Sequence, residues 1–187
     1  MSSRLPAGHD PHVADPGIEV RPALREELLA VARVRVASWR AAYAGLVPDD
    51  ELASIGEPER LQSWAERIAT STGVSVLVAV VDGDVVGFSA YGPERSDLVP
   101  AAPGRGEVYA IYVHPDAWGI GAGHALMSAT VDALRAHGHD AVSLWVLQGN
   151  ARGIAFYQRQ RFTPTGEVAV STHGDLPEAR WARPTAG

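Results

Sequence analysis

The stretch Gly106 to Leu126, GEVYAIYVHPDAWGIGAGHAL, joins three kinds of local instruction in a fixed order. Glu107 to Val113 is rich in β-branched and aromatic residues and reads as a strand. His114-Pro115-Asp116 is a turn, because Pro115 and Asp116 favour a chain reversal. Gly119, Gly121 and Gly123 then run into helical spacing, with Leu126, Thr130, Ala133/Leu134 and His137 on one stripe. Together these make an anion site. Glycine lets the main chain come close to a ligand. The first N–H groups of a helix have no internal partner, and the helix dipole adds positive charge there. A phosphate or diphosphate is the expected guest.

Three known devices share this plan. A P-loop needs a lysine after its last glycine, and the chain contains no lysine at all. A dinucleotide fingerprint needs G-x-G-x-x-G/A and an acidic residue near the end of the next strand. Its third position falls on His124 counted from Gly119, or on Leu126 counted from Gly121. The next strand, Ala141 to Leu147, runs into Gln148 and Gly149 without a carboxylate. What remains, WGIGAG from Trp118 to Gly123, resembles the Q/R-x-x-G-x-G/A motif of the GNAT acetyltransferase superfamily, which binds the coenzyme A pyrophosphate.

The chain has 187 residues, a length that suits one α/β domain. We place that domain at residues 18–187, after an N-terminal tail, 1–17, expected to be flexible. A net charge of −6 argues against general nucleic-acid binding, which needs a basic face, and is compatible with an amine acceptor. Without cysteine there is no disulfide, metal thiolate or cysteine nucleophile, and without lysine no Schiff base. No apolar run reaches the roughly twenty residues of a membrane helix. The N-terminus lacks the apolar stretch of a signal peptide, which points to a cytoplasmic protein.

Ile18 to Arg21 reads as a short strand and Arg25 to Ala44 as a helix with Leu28, Val31/Ala32, Val36, Trp39 and Tyr43 on its apolar stripe. Pro58 to Thr70 is a helix begun by a proline. Val74 to Val81 and Val85 to Tyr91 flank the hairpin turn Asp82-Gly83-Asp84. Gly92 to Arg105 is expected as an exposed loop with room for a cover. Asn150 to Gln160 reads as a helix, Phe162 to Val170 as a strand, and Arg180 to Arg183 as a short final strand. Early alternation with a mid-chain hairpin implies a mixed sheet.

The resemblance extends beyond the glycines. The order β-α-α-β-β-β-α-β-α-β-β is that of GNAT proteins, an α/β (α+β) fold with a mixed central sheet flanked by helices. LWVLQGNARGIAFYQRQRF resembles the family's next strand and helix, with Asn150 opening the helix and Tyr157 seven residues on. VARVRVASWRAAYAGLVPDDEL is similar to the family's first helices. Two departures touch the loop: Trp118 stands where the family has Gln or Arg, and Ile120 where it often has a cation. Diphosphate binding then rests on main-chain N–H groups, with Arg152 as the compensating cation. Arg161 replaces a glycine common before the final Phe; a positive φ there costs about 1 kcal/mol.

The resemblance implies acetyl-CoA as cosubstrate. Its expected contacts are Ile111, Tyr112, Val113, Trp118, Gly119, Ile120, Gly121, Ala122, Gly123, His124, Asn150 and Arg152. Ile111 and Val113 would offer main-chain groups to the pantetheine amides where the sheet splays, and the Val113 N–H would face the oxyanion. Acyl transfer to an amine with a pKa of ~10 also needs a base and an acid. Tyr157 is the candidate acid; the alternative is a tyrosine packed on the sheet. Glu107 is the candidate base, on one strand face with Tyr109, Ile111 and Val113 by alternation; the alternative is a solvent-facing strand start. Asn150 equally suits a helix N-cap. Trp39, Tyr43 and Leu46 are the candidate acceptor wall, or core. His137 and His139 have ligand-like spacing but no third ligand, and no metal is expected.

The sequence therefore points to an acetyl-CoA-dependent N-acetyltransferase acting on a primary amine of a small molecule or peptide, by direct attack. A homodimer is the family's common state. A non-catalytic coenzyme A binding module and a nicotinamide-dependent oxidoreductase are the alternatives.

Overall fold

The computed structural model describes residues 17–95, 102–171 and 175–186. Residues 1–16 of the expected tail and 96–101 of the expected cover loop lie outside the described residues. The strands are β1 (Glu19–Pro22), β2 (Ser75–Val81), β3 (Asp84–Pro93), β4 (Arg105–Val113), β5 (Ala141–Leu147), β6 (Thr163–Val170) and β7 (Pro177–Pro184). The helices are α1 (Leu28–Ala42), α2 (Asp49–Ser54), α3 (Pro58–Thr70), α4 (Ala122–Ala136) and α5 (Ala151–Arg159).

All seven strands form one sheet in the order β1-β2-β3-β4-β5-β7-β6. Neighbours are antiparallel except β4 and β5, which run parallel. A parallel pair needs a crossover, and α4 supplies it. The mixed sheet expected from the sequence is thus present, with one short addition: α2, whose six residues fall in a stretch without helical periodicity. The β2–β3 hairpin turns through Asp82 (φ 52) and Gly83 (φ 89), the paired positive angles of a tight hairpin.

Two apolar layers seat the sheet. On one face Leu126, Met127, Val131 and Leu134 of α4 meet Leu77, Ala79, Val108, Val142 and Leu144. Ile154, Phe156 and Tyr157 of α5 pack against the same cluster. On the other face Val31 and Val34 of α1 meet Val78, Val80, Phe88 and Ala90. A buried hydroxyl pair, Thr130 Oγ1 donating to Ser89 Oγ at 2.9 Å, fixes α4 against β3.

Several boundaries differ from the sequence reading. β3 and β4 grow into the expected Gly92–Arg105 loop, and Glu94 within it is buried, accepting from Ser143 Oγ at 2.7 Å and from the Arg105 guanidinium. The final strand is longer than Arg180 to Arg183 because β7 pairs with both β5 and β6. Arg161 does adopt a positive φ, 65°, at the end of α5. Most important, β4 is bulged: Ala90 faces Ala110, but Tyr91 faces Val108, leaving Tyr109 as the extra residue. Strict alternation fails across it. Tyr109, Ala110 and Tyr112 pack toward α1, whereas Val108, Ile111 and Val113 pack toward α4. Glu107 therefore does not share a face with Ile111 and Val113, contrary to the expectation from a regular strand.

Leu126 has no exposed surface and ties the helix that follows the glycines to the sheet. Leu126→Ala should lower unfolding free energy by ~2–5 kcal/mol, read by urea denaturation. A loss below ~1 kcal/mol would show that α4 is not seated by this contact.

Candidate active site

β4 and β5 pair only from Arg105 opposite Ala141 to Val108 opposite Leu144. Beyond that point they part, while β4 continues along β3 to Val113 opposite Gly87. The His114 N–H donates to the Val86 carbonyl at 2.7 Å. Antiparallel alternation then turns the main-chain groups of Tyr112 toward β3 and those of Ile111 and Val113 away from it, to the side β5 has left. The Val113 carbonyl is taken by Trp118 Nε1 at 2.7 Å and by Ser38 Oγ at 2.8 Å. Its N–H remains directed into the gap.

The gap leads to the glycines. Gly121 precedes α4 with φ 98°, a left-handed angle that disfavours any Cβ. Gly123 lies in the first turn, where a Cβ would come within 3.3 Å of the Phe156 ring, so its lack of a side chain lets α5 approach α4. The first turn of α4 has no side-chain cap and no acidic residue. The first intrahelical main-chain bond is Ala125 N–H to Gly121 O, which leaves the amides of Ala122, Gly123 and His124 without helical partners. These residues border a groove of ≈ 570 Å³ that also meets Ile111, Val113, Asn150, Arg152 and Tyr157. A diphosphate with an extended arm fits such a shape: donors and positive dipole at one end, a free strand edge along the other.

Trp118 is not a cation, but it holds one. Arg152 stacks its guanidinium 3.7 Å from the centre of the Trp118 ring, while the indole N–H is anchored on the Val113 carbonyl. The position expected to be merely deficient thus parks a cation beside the glycine loop. His124 also borders the groove, with Nδ1 3.1 Å from Gln160 Oε1. Ile120 is the member of the expected contact set that turns the other way; its side chain packs against the α4 core and does not line the groove. Asn150 is an N-cap, accepting from the Gly153 N–H at 2.9 Å, and it borders the groove as well.

Tyr157 stands where this groove meets a second cavity of ≈ 280 Å³. Its ring is set by edge-on contacts with Phe156 (5.4 Å) and Phe162 (6.0 Å). Burial, reinforced by the nearby Tyr112 phenol, raises its pKa above the usual value, so the hydroxyl stays protonated through neutral pH.

The second cavity is walled by Trp39, Tyr43, Tyr109, Tyr112 and Trp145. Trp39 and Tyr43 are both core and wall: each is under a tenth exposed, and their rings meet edge-on at 5.0 Å. The Tyr43 and Tyr112 hydroxyls lie 3.4 Å apart, and burial raises both phenols. Leu46 does not reach the cavity; it packs with Val47, Leu52 and Leu147 beside Gly149. His137 bonds the Ala133 carbonyl through Nδ1 at 2.7 Å, and no cluster of metal-ligating side chains occurs among the described residues.

Glu107 lines the same cavity but is neither exposed nor uncommitted. It is 1 % exposed. The Arg95 N–H donates to its Oε2 at 2.9 Å, and the Arg95 guanidinium binds its Oε1 through both Nε and Nη2. A carboxylate held on both oxygens by one cation is poorly suited to collecting a proton. A second carboxylate escaped the sequence reading. Glu178 of β7 faces the cavity; burial raises its pKa above the usual range, Glu107 adds to the rise, and Ser171 and Arg95 oppose it. It lay just outside the expected Arg180 to Arg183 strand, so no alternation pattern drew attention to it. Arg95 and Trp145 were missed because contacts across the sheet leave no local pattern.

Comparison with known proteins agrees with this geometry. Residues 36–162 match the acetyltransferase (GNAT) family. An uncharacterized N-acetyltransferase, YuaI of Bacillus subtilis, is 35 % identical over 142 residues, covering 75 % of this chain and 78 % of its own length. A mycothiol acetyltransferase of Beutenbergia cavernae is 44 % identical over 72 residues, 38 % of this chain and 23 % of that protein. The chain spans less than half the length of the mycothiol acetyltransferases it matches. An L-methionine sulfoximine/L-methionine sulfone acetyltransferase of Pseudomonas aeruginosa is 32 % identical over 109 residues, 57 % of this chain and 60 % of that one. Among solved structures, the PaiA N-acetyltransferase of Thermoplasma acidophilum, in complex with coenzyme A, superposes with a TM-score of 0.65 at 21 % identity, covering 87 % of this chain and 98 % of that one; this shows the shared fold. With more than half its length matched by one family, the chain belongs to the acetyltransferase (GNAT) family.

Proposed function

We propose that the protein is an acetyl-CoA-dependent N-acetyltransferase that moves an acetyl group to a primary amine of a small molecule or peptide by direct attack. The observation that carries this reading is the unpaired edge of β4, Ile111 and Val113, running from the glycine-led start of α4 to the Tyr157 hydroxyl. The amides of Ala122, Gly123 and His124 hold the diphosphate, and Arg152 swings from Trp118 to meet it. Ile111 and Val113 pair with the pantetheine amides as one strand pairs with another. The thioester carbon is thereby placed beside the aromatic cavity.

The chain's own groups then divide the work. The Val113 N–H donates to the oxygen that gains charge as the amine attacks. Tyr157, kept protonated by burial, gives its proton to the departing sulfur. The absence of cysteine from the chain favours direct attack over an acyl-enzyme on a thiol. Relatives named for mycothiol and for L-methionine sulfoximine support a small-molecule acceptor. Thiol release from acetyl-CoA across a panel of primary amines tests the reading; coenzyme binding without release from any amine would leave only a binding module.

Two substitutions probe the parts. Tyr157→Phe should lower kcat by about 10²-fold with little change in KM for acetyl-CoA; an unchanged kcat would remove the phenol from the chemistry. Arg152→Ala should weaken acetyl-CoA binding about tenfold, as loss of a charge-assisted contact does. It should leave S-acetylpantetheine, which has no diphosphate, unaffected. Equal losses for both ligands in calorimetry would show that Arg152 acts elsewhere.

A further inference from the structure

The aromatic cavity holds two acidic side chains, and the fold treats them differently. Glu107 is clamped on both oxygens by Arg95, so that pair sums to no charge. Of the other cations nearby, buried Arg180 meets Glu94 and Glu167 through Nη1 and stacks on Trp145 at 4.8 Å, and Arg35 stacks on Trp39 at 4.5 Å. Glu178 forms no ion pair with any cation among the described residues. Its neighbours are the Ser171 hydroxyl, which hydrogen-bonds it, and the phenols of Tyr43 and Tyr112, which feel its charge. Among the described residues Glu178 is thus the cavity's one carboxylate without an ion-pair partner, set among the faces of Trp39, Tyr43, Tyr109, Tyr112 and Trp145, with Tyr157 at the inner end. Aromatic faces and a lone carboxylate are what a cationic amine seeks. At ≈ 280 Å³ the space lies just below the usual range of ligand cavities, which run from ~300 Å³ upward, and so suits a small acceptor.

We propose that Glu178, in place of Glu107, receives the acceptor's ammonium group and takes its proton, and that the acceptor is a small, singly charged primary amine lacking a carboxylate. The inference rests on the acetyltransferase reading above. Glu178 removes one proton from R–NH3+, and the nitrogen lone pair attacks the thioester carbon. The C–N bond forms as the C–S bond breaks toward sulfur. Tyr157 protonates the thiolate and is reprotonated by the second proton leaving nitrogen, and Glu178 returns its own proton to solvent. Burial assists by narrowing the gap between carboxyl and ammonium. An amino acid is disfavoured because Arg95, the one cation lining the cavity among the described residues, is already engaged by Glu107.

The groups facing Glu178 are Tyr43 from α1, Glu107, Tyr109 and Tyr112 from β4, Arg95 beyond β3, and Tyr157 from α5. The test compares thiol release from acetyl-CoA with butylamine, 2-phenylethylamine and tyramine against phenylalanine and tyrosine. With an active monoamine, Glu178→Gln should lower kcat/KM at least 100-fold while acetyl-CoA binding is kept. It should also erase the rise of kcat/KM with pH that begins above the ordinary carboxylate range. Glu178→Asp should restore part of both, and Glu107→Gln should retain the pH limb. A Glu178→Gln enzyme with the wild-type profile, or faster turnover of phenylalanine than of 2-phenylethylamine, overturns the proposal. Absence of thiol release with every amine would instead bring down the acetyltransferase reading beneath it.

Discussion

Parallel strands that stay paired offer a ligand nothing, because each peptide group is already bonded to its neighbour. Here β4 and β5 keep their ladder only as far as Val108 and Leu144. From there, β3 is its one partner strand, and the outward main-chain groups of Ile111 and the N–H of Val113 are left to a ligand. Everything else at the site is arranged around that opening. α4, seated by Leu126 and Met127, brings its unsatisfied first amides to one end. α5, allowed close by Gly123, brings Tyr157 to the other. The bulge at Tyr109 lies where the strands part, and the added twist of a bulge helps the edge diverge.

Charge placement follows the same economy. The chain has no lysine, so each cation is a guanidinium with a planar face and a fork of donors. Arg152 uses the face on Trp118, Arg95 uses the fork on Glu107 and the face on Tyr109, and Arg180 lays its face on Trp145 while Nη1 alone meets Glu94 and Glu167. A stacked guanidinium is held loosely enough to be drawn to a stronger anion, whereas one forked onto a buried carboxylate is not. That difference separates the cation available to a coenzyme from those that serve as framework. It also leaves Glu178 as the cavity's one carboxylate without an ion-pair partner among the described residues.

Local pattern carried much of this. α3 and β5 fall at the bounds read from the sequence, because Pro58 marks one start and an apolar run interrupted by Ser143 alone marks the other. The glycines marked the start of α4, and Gly121 there takes a left-handed φ of 98°. Asn150 does cap α5. What stayed hidden is non-local. A bulge adds one residue with no mark in composition, so Glu107 was assigned to the wrong strand face. Its clamp by Arg95 joins β4 to the segment that follows β3, and Glu178 reaches the cavity through pairing of β7 with β5. Leu46 sat in the right loop, but packing against Leu147 and Leu52 turns it inward.

The central claim is that the outward N–H groups of Ile111 and Val113 are open until coenzyme arrives. Amide hydrogen exchange at Ile111 and Val113, measured with and without saturating acetyl-CoA, tests it directly. The account predicts fast exchange at both in the free protein, slow exchange at Tyr112 throughout, and marked slowing at Ile111, Val113 and the first amides of α4 on binding. Protection of Ile111 and Val113 already in the free protein, or no change on saturation, would contradict it.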